Sequence, residues 1–399
     1  MSKRILLIAA EFPPCGGGGV GRPYHLAATL SQHGYQVTVL TAAENLYRIQ
    51  NKALDPSSID VNVHRVDAPN FEKMFIRLSR FLPQFAPADR YLPWRFLAHK
   101  AAKRLHQRKP FDLVLSTYPC YSNHAVAFRL SKQFDIPWIA DYRDPPRWMY
   151  IDGHKRQKAF FAFAQRAKHH VVTTSRTQRL IARELQLDHN EITVLRNGCD
   201  DLAAQLTIPA DACDPFEILH TGSFYPEGRD IRPLIKAASR LEKPIHLRFI
   251  GDPPGADTLE FVKSLDTHAR VTFDDFMPSD AVLKESARSS ALLVIQGQLF
   301  ENQVPGKIFE YLALQKPVLV ITNKGSATYE IAHGEANVIF AEYDDEASIR
   351  EGLQKVMQHA VQPVDRTQYT RHATLQEYAA LVAKTLDEAR GSRAGESVR

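Results

Sequence analysis

Short runs of branched and leucine-rich residues alternate with helix-patterned stretches along almost all of this sequence, and the alternation pauses once, from Asp200 to Pro215, before it restarts. Its first cycle is a β-α-β unit. A strand of the fully buried type covers Arg4 to Ala10, a glycine-rich loop runs to Gly21, a helix pattern occupies about 22–32, and a second strand reads Gln36-Val-Thr-Val-Leu-Thr41. Gly34 stands where a helix C-terminal glycine belongs. The pattern predicts further strands at 61–66, 112–116, 136–140, 170–174 and 192–195, and after the pause at 216–221, 245–250, 270–273, 290–295, 317–321 and 337–340. Strands that alternate with helices build parallel sheets covered on both faces, so the expected fold is α/β with two doubly wound, Rossmann-like domains. Ligands of such sheets bind beyond the carboxyl ends of the strands, which makes a cleft between two facing sheets the expected site.

Composition narrows the class. Of 399 residues, 44% are hydrophobic and 24% charged, as in soluble globular chains able to bury sizeable cores. The longest apolar runs, such as Arg4 to Ala10 and Pro317 to Ile321, stop far short of the roughly 18 residues of a spanning helix. Behind Lys3 and Arg4 the apolar stretch ends at Glu11, too short for the ~7–15 residues of a secretory h-region, which argues for a cytoplasmic protein. Cys15, Cys120, Cys199 and Cys213 show no CxxC spacing, so reduced thiols are expected rather than disulfides or structural zinc. The net charge of +5 hides an asymmetry: residues 1–200 carry 29 Lys/Arg against 16 Asp/Glu, and the remainder 21 against 29. A basic first half suits contact with phosphate, an anionic membrane or nucleic acid.

Three segments carry chemistry. In Glu11-Phe-Pro-Pro-Cys-Gly-Gly-Gly-Gly-Val-Gly21, backbone N–H groups and the following helix start can bind an anion, and residues without side chains let a phosphate or sugar approach. A dinucleotide fingerprint using Gly17, Gly19 and Gly21 with Glu44 fits poorly, since the GxGxxG spacing is absent; a plain flexible turn is the third alternative. In Val304-Pro-Gly-Lys-Ile-Phe-Glu310, a Pro-Gly turn opens a helix with Lys307 in its first turn and Glu310 on the same face. That pair suits a diphosphate and the hydroxyls of a ribose, or is an ordinary i,i+3 surface pair. Between Phe71 and Lys109, ten Lys/Arg interleave with Phe71, Phe75, Phe81, Phe85, Tyr91, Trp94 and Phe96. Such a mixture serves an interfacial membrane helix or an anion-binding flap, or is a solvated basic face over a core face. No nucleic-acid-binding motif accompanies it, so nucleic acid is not expected as a partner.

Phe12-Pro-Pro before the glycines, Ile139-Ala-Asp-Tyr-Arg-Asp-Pro145, Val194-Leu-Arg-Asn-Gly198, His220-Thr-Gly-Ser223 with Gly228-Arg-Asp230, Phe249-Ile-Gly251 and Val304 to Tyr311 form an ordered set over nearly the whole chain. In order and spacing this set resembles the GT-B-fold glycosyltransferases of the retaining family-4 (group 1) type. The resemblance implies an acceptor-side domain at 1–200, a nucleotide-sugar-binding domain at 201–367, a helix at 368–389 that crosses back to the first domain, and a tail at 391–399. Residue by residue, it places Gly222, Ser223, Arg229 and Lys307 around the donor diphosphate and Glu310 on the ribose. Phe276 and Met277 meet the base, and Asn197, Asn302, Val304, Pro305 and Gly306 complete the donor contacts. On the first domain Gly18 and Gly19 lie under the phosphates or sugar, His124 touches the sugar, and Asp141 and Asp144 organise the acceptor side. No metal is implied, because Arg and Lys supply the positive charge.

Two positions depart from the family pattern. Asn302 stands where a second Glu is usual, with Glu301 one step out of register, and Glu227-Gly228 replaces a Lys-Gly pair. The implied activity is transfer of a hexose from a nucleoside diphosphate sugar, UDP first among them, to a hydroxyl of a saccharide or lipid-linked acceptor. The sugar nucleotide is a co-substrate, and no resident cofactor is implied. Alternatives are a nucleotide-sugar 2-epimerase of the same fold, an NAD-dependent oxidoreductase, which the glycine spacing disfavours, and a non-catalytic membrane-associated protein. Polysaccharide or glycolipid assembly is the setting the family suggests. If the 71–109 segment docks on anionic lipid, the protein is peripheral at the inner face of the membrane.

Overall fold

The computed structural model describes residues 2–396 apart from 18, 52–53, 82–88, 147–161, 209–212, 223, 225–227 and 266; the side chains of 78–80, 162 and 392–396 are also outside the description. Two compact units divide the chain, Met1–Asn197 with Ala373–Arg399, and Gly198–His372.

The first unit holds strands β1 (Arg4–Ile8), β2 (Gln36–Ala42), β3 (Asn62–Val66), β4 (Leu113–Tyr118), β5 (Trp138–Tyr142), β6 (His169–Val172) and β7 (Ile192–Val194). They form one parallel sheet in the order β3-β2-β1-β4-β5-β6-β7. Both faces are covered, which is why these strands read as unbroken apolar runs. Leu6 and Ile8 enter a core with the helices Leu92–Arg108 and Tyr121–Phe134, whereas Ile5 and Leu7 enter one with the helix Gly21–Gln32. Tyr378, Ala379, Leu381, Val382 and Leu386 join that second core, so the last helix, Arg371–Glu396, packs on the first unit. Gln368 lies before it in a 3-10 turn, and residues 391–396, expected as a tail, are helical.

The second unit holds β8 (Phe216–Thr221), β9 (Ile245–Ile250), β10 (Arg270–Asp274), β11 (Ala291–Gln296), β12 (Val318–Thr322) and β13 (Val338–Ala341), ordered β10-β9-β8-β11-β12-β13 and again parallel. In each sheet the direction of winding reverses next to the first strand, at β1/β4 and at β8/β11. A crevice opens at such a point because the connections leave to opposite sides.

The strands stand where the alternation puts them, and one end differs for a clear reason. β1 stops at Ile8, not Ala10, because the Ala10 N–H is taken by the Asn123 side chain at 2.9 Å. The Asn123 amide also donates to the Thr117 carbonyl at 2.7 Å. One side chain thus ties the carboxyl ends of β1 and β4 at the switch point. The segment 71–109 also splits. Helices span Glu72–Phe81 and Leu92–Arg108, with Phe85 outside the described residues. Tyr91 and Trp94 are buried in the core, whereas Phe71, Phe81 and Phe96 are exposed.

Candidate active site

At the carboxyl end of β8 the chain turns through Gly222, whose φ of +119° favours glycine. A Cβ there would stand 2.9 Å from Lys307 Nζ, so the ammonium lies directly over this turn. The helix carrying it, Lys307–Ala313, is pinned to the same strand end. Tyr311 Oη accepts from the Thr221 amide at 3.2 Å and lies 2.9 Å from the Thr221 hydroxyl. Gly228 passes close beneath Phe300, its carbonyl accepting from the Gly297 N–H at 2.8 Å, and the Arg229 guanidinium lies 5.1 Å over the Phe300 ring. Gln296, the buried polar residue that closes β11, donates to the carbonyls of Phe300 and Gln303, both at 2.9 Å, and so shapes the loop leading to Lys307.

Two cations therefore share a partly desolvated corner. Burial, with Arg229 adding to it, pulls the Lys307 ammonium down from 10.5 to about 7, and Glu310 offsets only part of this. Glu310 is itself raised above the usual carboxylate range by burial, with Lys307 pulling the other way. A diphosphate beside Lys307 would favour its charged form and so offset the effect of burial. The remaining implied donor contacts spread around this corner. Asn302 is buried, Val304 packs against the core beneath the helix, the Pro305 carbonyl accepts from Ile308, and Gly306 has open space where a Cβ would point. Met277 packs on the same core, whereas Phe276 is 80% exposed, free to lie against a base. Ser223 lies outside the described residues. Asn323 donates to Glu301 at 2.9 Å.

Two implied residues of the first unit, His124 and Asp141, are buried. His124 is 0% exposed, in the helix Tyr121–Phe134, with its Nδ1 2.8 Å from Ser116 Oγ and its ring 4.8 Å from that of Tyr142. Burial and nearby His170 hold its pKa down to about 3, so the ring is neutral where it sits in the core. Asp141 is buried and fully engaged: Arg22 donates to it through Nε at 3.0 Å and Nη2 at 2.8 Å, and Thr117 adds a bond at 3.1 Å. These bonds hold Asp141 in place at the carboxyl end of β5. Arg22 also donates to Asn197 Oδ1 at 3.2 Å, so that side chain belongs to the same network.

Gly19 lies against the guanidinium of Arg143. A Cβ there would collide with the Arg143 guanidinium, so the missing side chain makes room for an arginine. Asp144 is half-buried and pairs with Arg143 Nε at 3.4 Å, and Gly18 lies outside the described residues. Around them Glu11, Gly19, Thr117, Tyr118, Cys120, Asn123 and Arg143 line a small concavity at the β1/β4 switch point. Arg22, Asn123, Arg143, His220 and Gln296 are functional or framing residues that spacing alone does not single out. Two carry a readable signal: Gln296 is the polar residue that ends the apolar strand β11, and His220 follows the apolar pair Ile218-Leu219 near the end of β8, both beside the switch point.

The helix Glu72–Phe81 is amphipathic, with Phe71, Met74, Ile76 and Phe81 exposed beside Lys73 and Arg77. Among the described residues no helix is long and apolar enough to cross a membrane.

Two family models match the chain, "Glycosyl transferase 4-like domain" over residues 17–198 and "Glycosyl transferases group 1" over residues 215–359. No curated protein sequence matches it. Among solved structures, the lipopolysaccharide outer core galactosyltransferase WaaB superposes with a TM-score of 0.67 at 13% identity, over 95% of this chain and 99% of that one. Anabaena HepE in complex with UDP and glucose gives 0.58 at 15%, over 98% and 100%. A putative UDP-N-acetylglucosamine 2-epimerase from Listeria monocytogenes gives 0.60 at 11%, over 97% and 98%. At these identities the likeness is one of fold.

Proposed function

The chain belongs to the group 1 glycosyltransferases of the GT-B fold, and from that premise we propose that it transfers a hexose from UDP-sugar to a hydroxyl of a saccharide or lipid-linked acceptor, with retention and without a metal. The observation that carries the proposal is Lys307 over Gly222, close enough to Arg229 for the two charges to oppose one another, with Glu310 one turn along the helix. When the bond from sugar to phosphate breaks, negative charge builds on the departing diphosphate, and two fixed cations in a partly desolvated corner stabilise that charge. Glu310 is spaced to accept hydrogen bonds from a ribose. UDP is favoured over other bases by the HepE complexes, which hold UDP with glucose or UDP-glucose. The concavity with Glu11, Arg143 and Asp144 is the acceptor side.

A thermal-shift panel with UDP, GDP, ADP, CDP and NAD tests the proposal, since a ligand at ~100 times its Kd adds ~2.7 kcal/mol to stability. Stabilisation by one nucleoside diphosphate supports it and names the base; a shift with NAD alone overturns it. The epimerase alternative is separated by incubating the sugar nucleotide without acceptor, where an epimerase makes a new sugar nucleotide.

The exposed apolar side chains of Glu72–Phe81, set among Lys73 and Arg77, support a second part of the proposal: this face docks on an anionic membrane to reach a lipid-linked acceptor.

A further inference from the structure

Lys307 is held by a residue that the donor contacts above leave out. His220 sits one residue before the end of β8, 1% exposed, its ring 5.7 Å from that of Phe224 and 6.1 Å from that of Phe249. Its Nδ1 lies 2.9 Å from the Leu293 carbonyl on β11, and Lys307 Nζ lies 3.4 Å from its Nε2. A carbonyl oxygen can only accept, so Nδ1 carries the hydrogen. A neutral imidazole has one N–H, which leaves Nε2 bare and facing Lys307. The doubly protonated ring is disfavoured, because burial and the charges of Lys307 and Arg229 hold His220 well below its ordinary range. The charged groups facing Lys307 are Arg229 from the loop after β8 and Glu310 from its own helix, with His220 as the neutral acceptor.

We propose that His220 is a positioning residue: its Nε2, kept bare by the bond to Leu293, anchors the Lys307 amine above Gly222 and leaves the other N–H groups for the donor diphosphate. The inference rests on the donor-site assignment above. A free lysine side chain loses several torsions when it closes on a ligand, and an anchor already made in the empty site removes much of that loss. The anchor is specific in direction, since the Leu293 bond reverses which ring nitrogen can accept. It is also stable across neutral pH, because the ring that makes it stays uncharged.

The tautomer is read in the wild-type protein by ¹⁵N NMR of labelled histidine, and an Nε2–H ring at position 220 overturns the inference without any variant. Protonation of Lys307 is followed in the nucleotide-free protein by competitive acetylation across pH, read by peptide mass spectrometry. His220→Asn keeps a donor towards Leu293 but is too short to reach Lys307; His220→Gln reaches the Nε2 position with an amide oxygen. The expected result is a lower Lys307 midpoint and UDP affinity weaker by about tenfold or more in His220→Asn, both restored in His220→Gln. An unchanged Lys307 midpoint in a folded His220→Asn overturns the inference. A lowered midpoint together with no binding of UDP, GDP, ADP or CDP by the wild type leaves the anchor standing and removes the donor-site assignment instead.

Discussion

Lys307 should make nucleotide binding consume a proton. Its ammonium titrates at about 7 in the empty site, because burial and Arg229 work against the charged form. A bound diphosphate places several negative charges beside it and returns the pKa towards or above 10.5. The sign follows directly: where the bound form holds more protons than the free form, raising the pH weakens binding. With a free-state value near 7, affinity should fall about eightfold from pH 7.5 to 8.5, or ~1.2 kcal/mol at 1.36 kcal/mol per pKa unit. The phosphate's own last proton, with a pKa near 6, is already off in this window. Arg229 stays charged, and His220, held well below its ordinary range, stays neutral. Calorimetry of UDP binding at pH 8 in two buffers of different ionisation enthalpy should show uptake of roughly 0.9 proton. In Lys307→Arg the uptake should vanish and the affinity become flat with pH. A wild-type protein that binds UDP with no proton uptake and no change between pH 7.5 and 8.5 would refute the idea that these cations are strained by an empty site.

Breaking the buried Arg22–Asp141 pair should cost folding stability rather than chemistry alone: Arg22→Met is expected to lose ~3–5 kcal/mol in urea melts, and a loss under ~1 kcal/mol would show that the pair is not uncompensated when broken. His124→Phe should leave UDP affinity within about twofold of wild type while lowering stability by ~1–3 kcal/mol through the lost bond to Ser116, whose oxygen keeps only the Trp138 N–H, and a large loss of affinity would place His124 in the binding site. Lys73→Glu combined with Arg77→Glu should abolish the difference in co-sedimentation between anionic and neutral liposomes; equal partitioning of the wild type in both removes the electrostatic part of the membrane proposal.

What could be read from the sequence follows from how each interaction is encoded. Strands covered on both faces are written as continuous apolar runs, such as Ile5 to Ile8 and Ala291 to Ile295, and these need no partner to be recognised. The Lys307–Glu310 spacing is equally local, since a Pro-Gly turn and one helical turn fix it. Arg22 and Asp141 are 119 positions apart, and only the fold shows that they neutralise one another. His124 misleads for a related reason. Ser122, Asn123 and His124 look like an exposed helix start, yet all three are buried, because Asn123 joins two strand ends and Asp89 accepts from the Ser122 amide at 2.6 Å. Gly19 carries the same lesson in miniature, for a glycine reports that something comes close without saying what.

The two sheets share a strand order and a switch point, so topology alone cannot decide which charged residues act. The electrostatics of each crevice can. At β1/β4 the charge on Asp141 is answered within the protein, by a guanidinium aligned to both oxygens and a hydroxyl. At β8/β11 Lys307 and Arg229 oppose one another, and Glu310 restores only part of what burial removes. A site that raises the energy of its own empty state gives that energy back when an anion arrives, and gives more of it as the anion's charge grows. A diphosphate gains charge as its bond to sugar breaks, so on the proposed reading a corner that binds the donor would bind the leaving group more tightly. Differential binding of that kind is what lowers a barrier, and the proposed function asks it of Lys307 and Arg229 at the second switch point, not of the buried Arg22–Asp141 pair at the first.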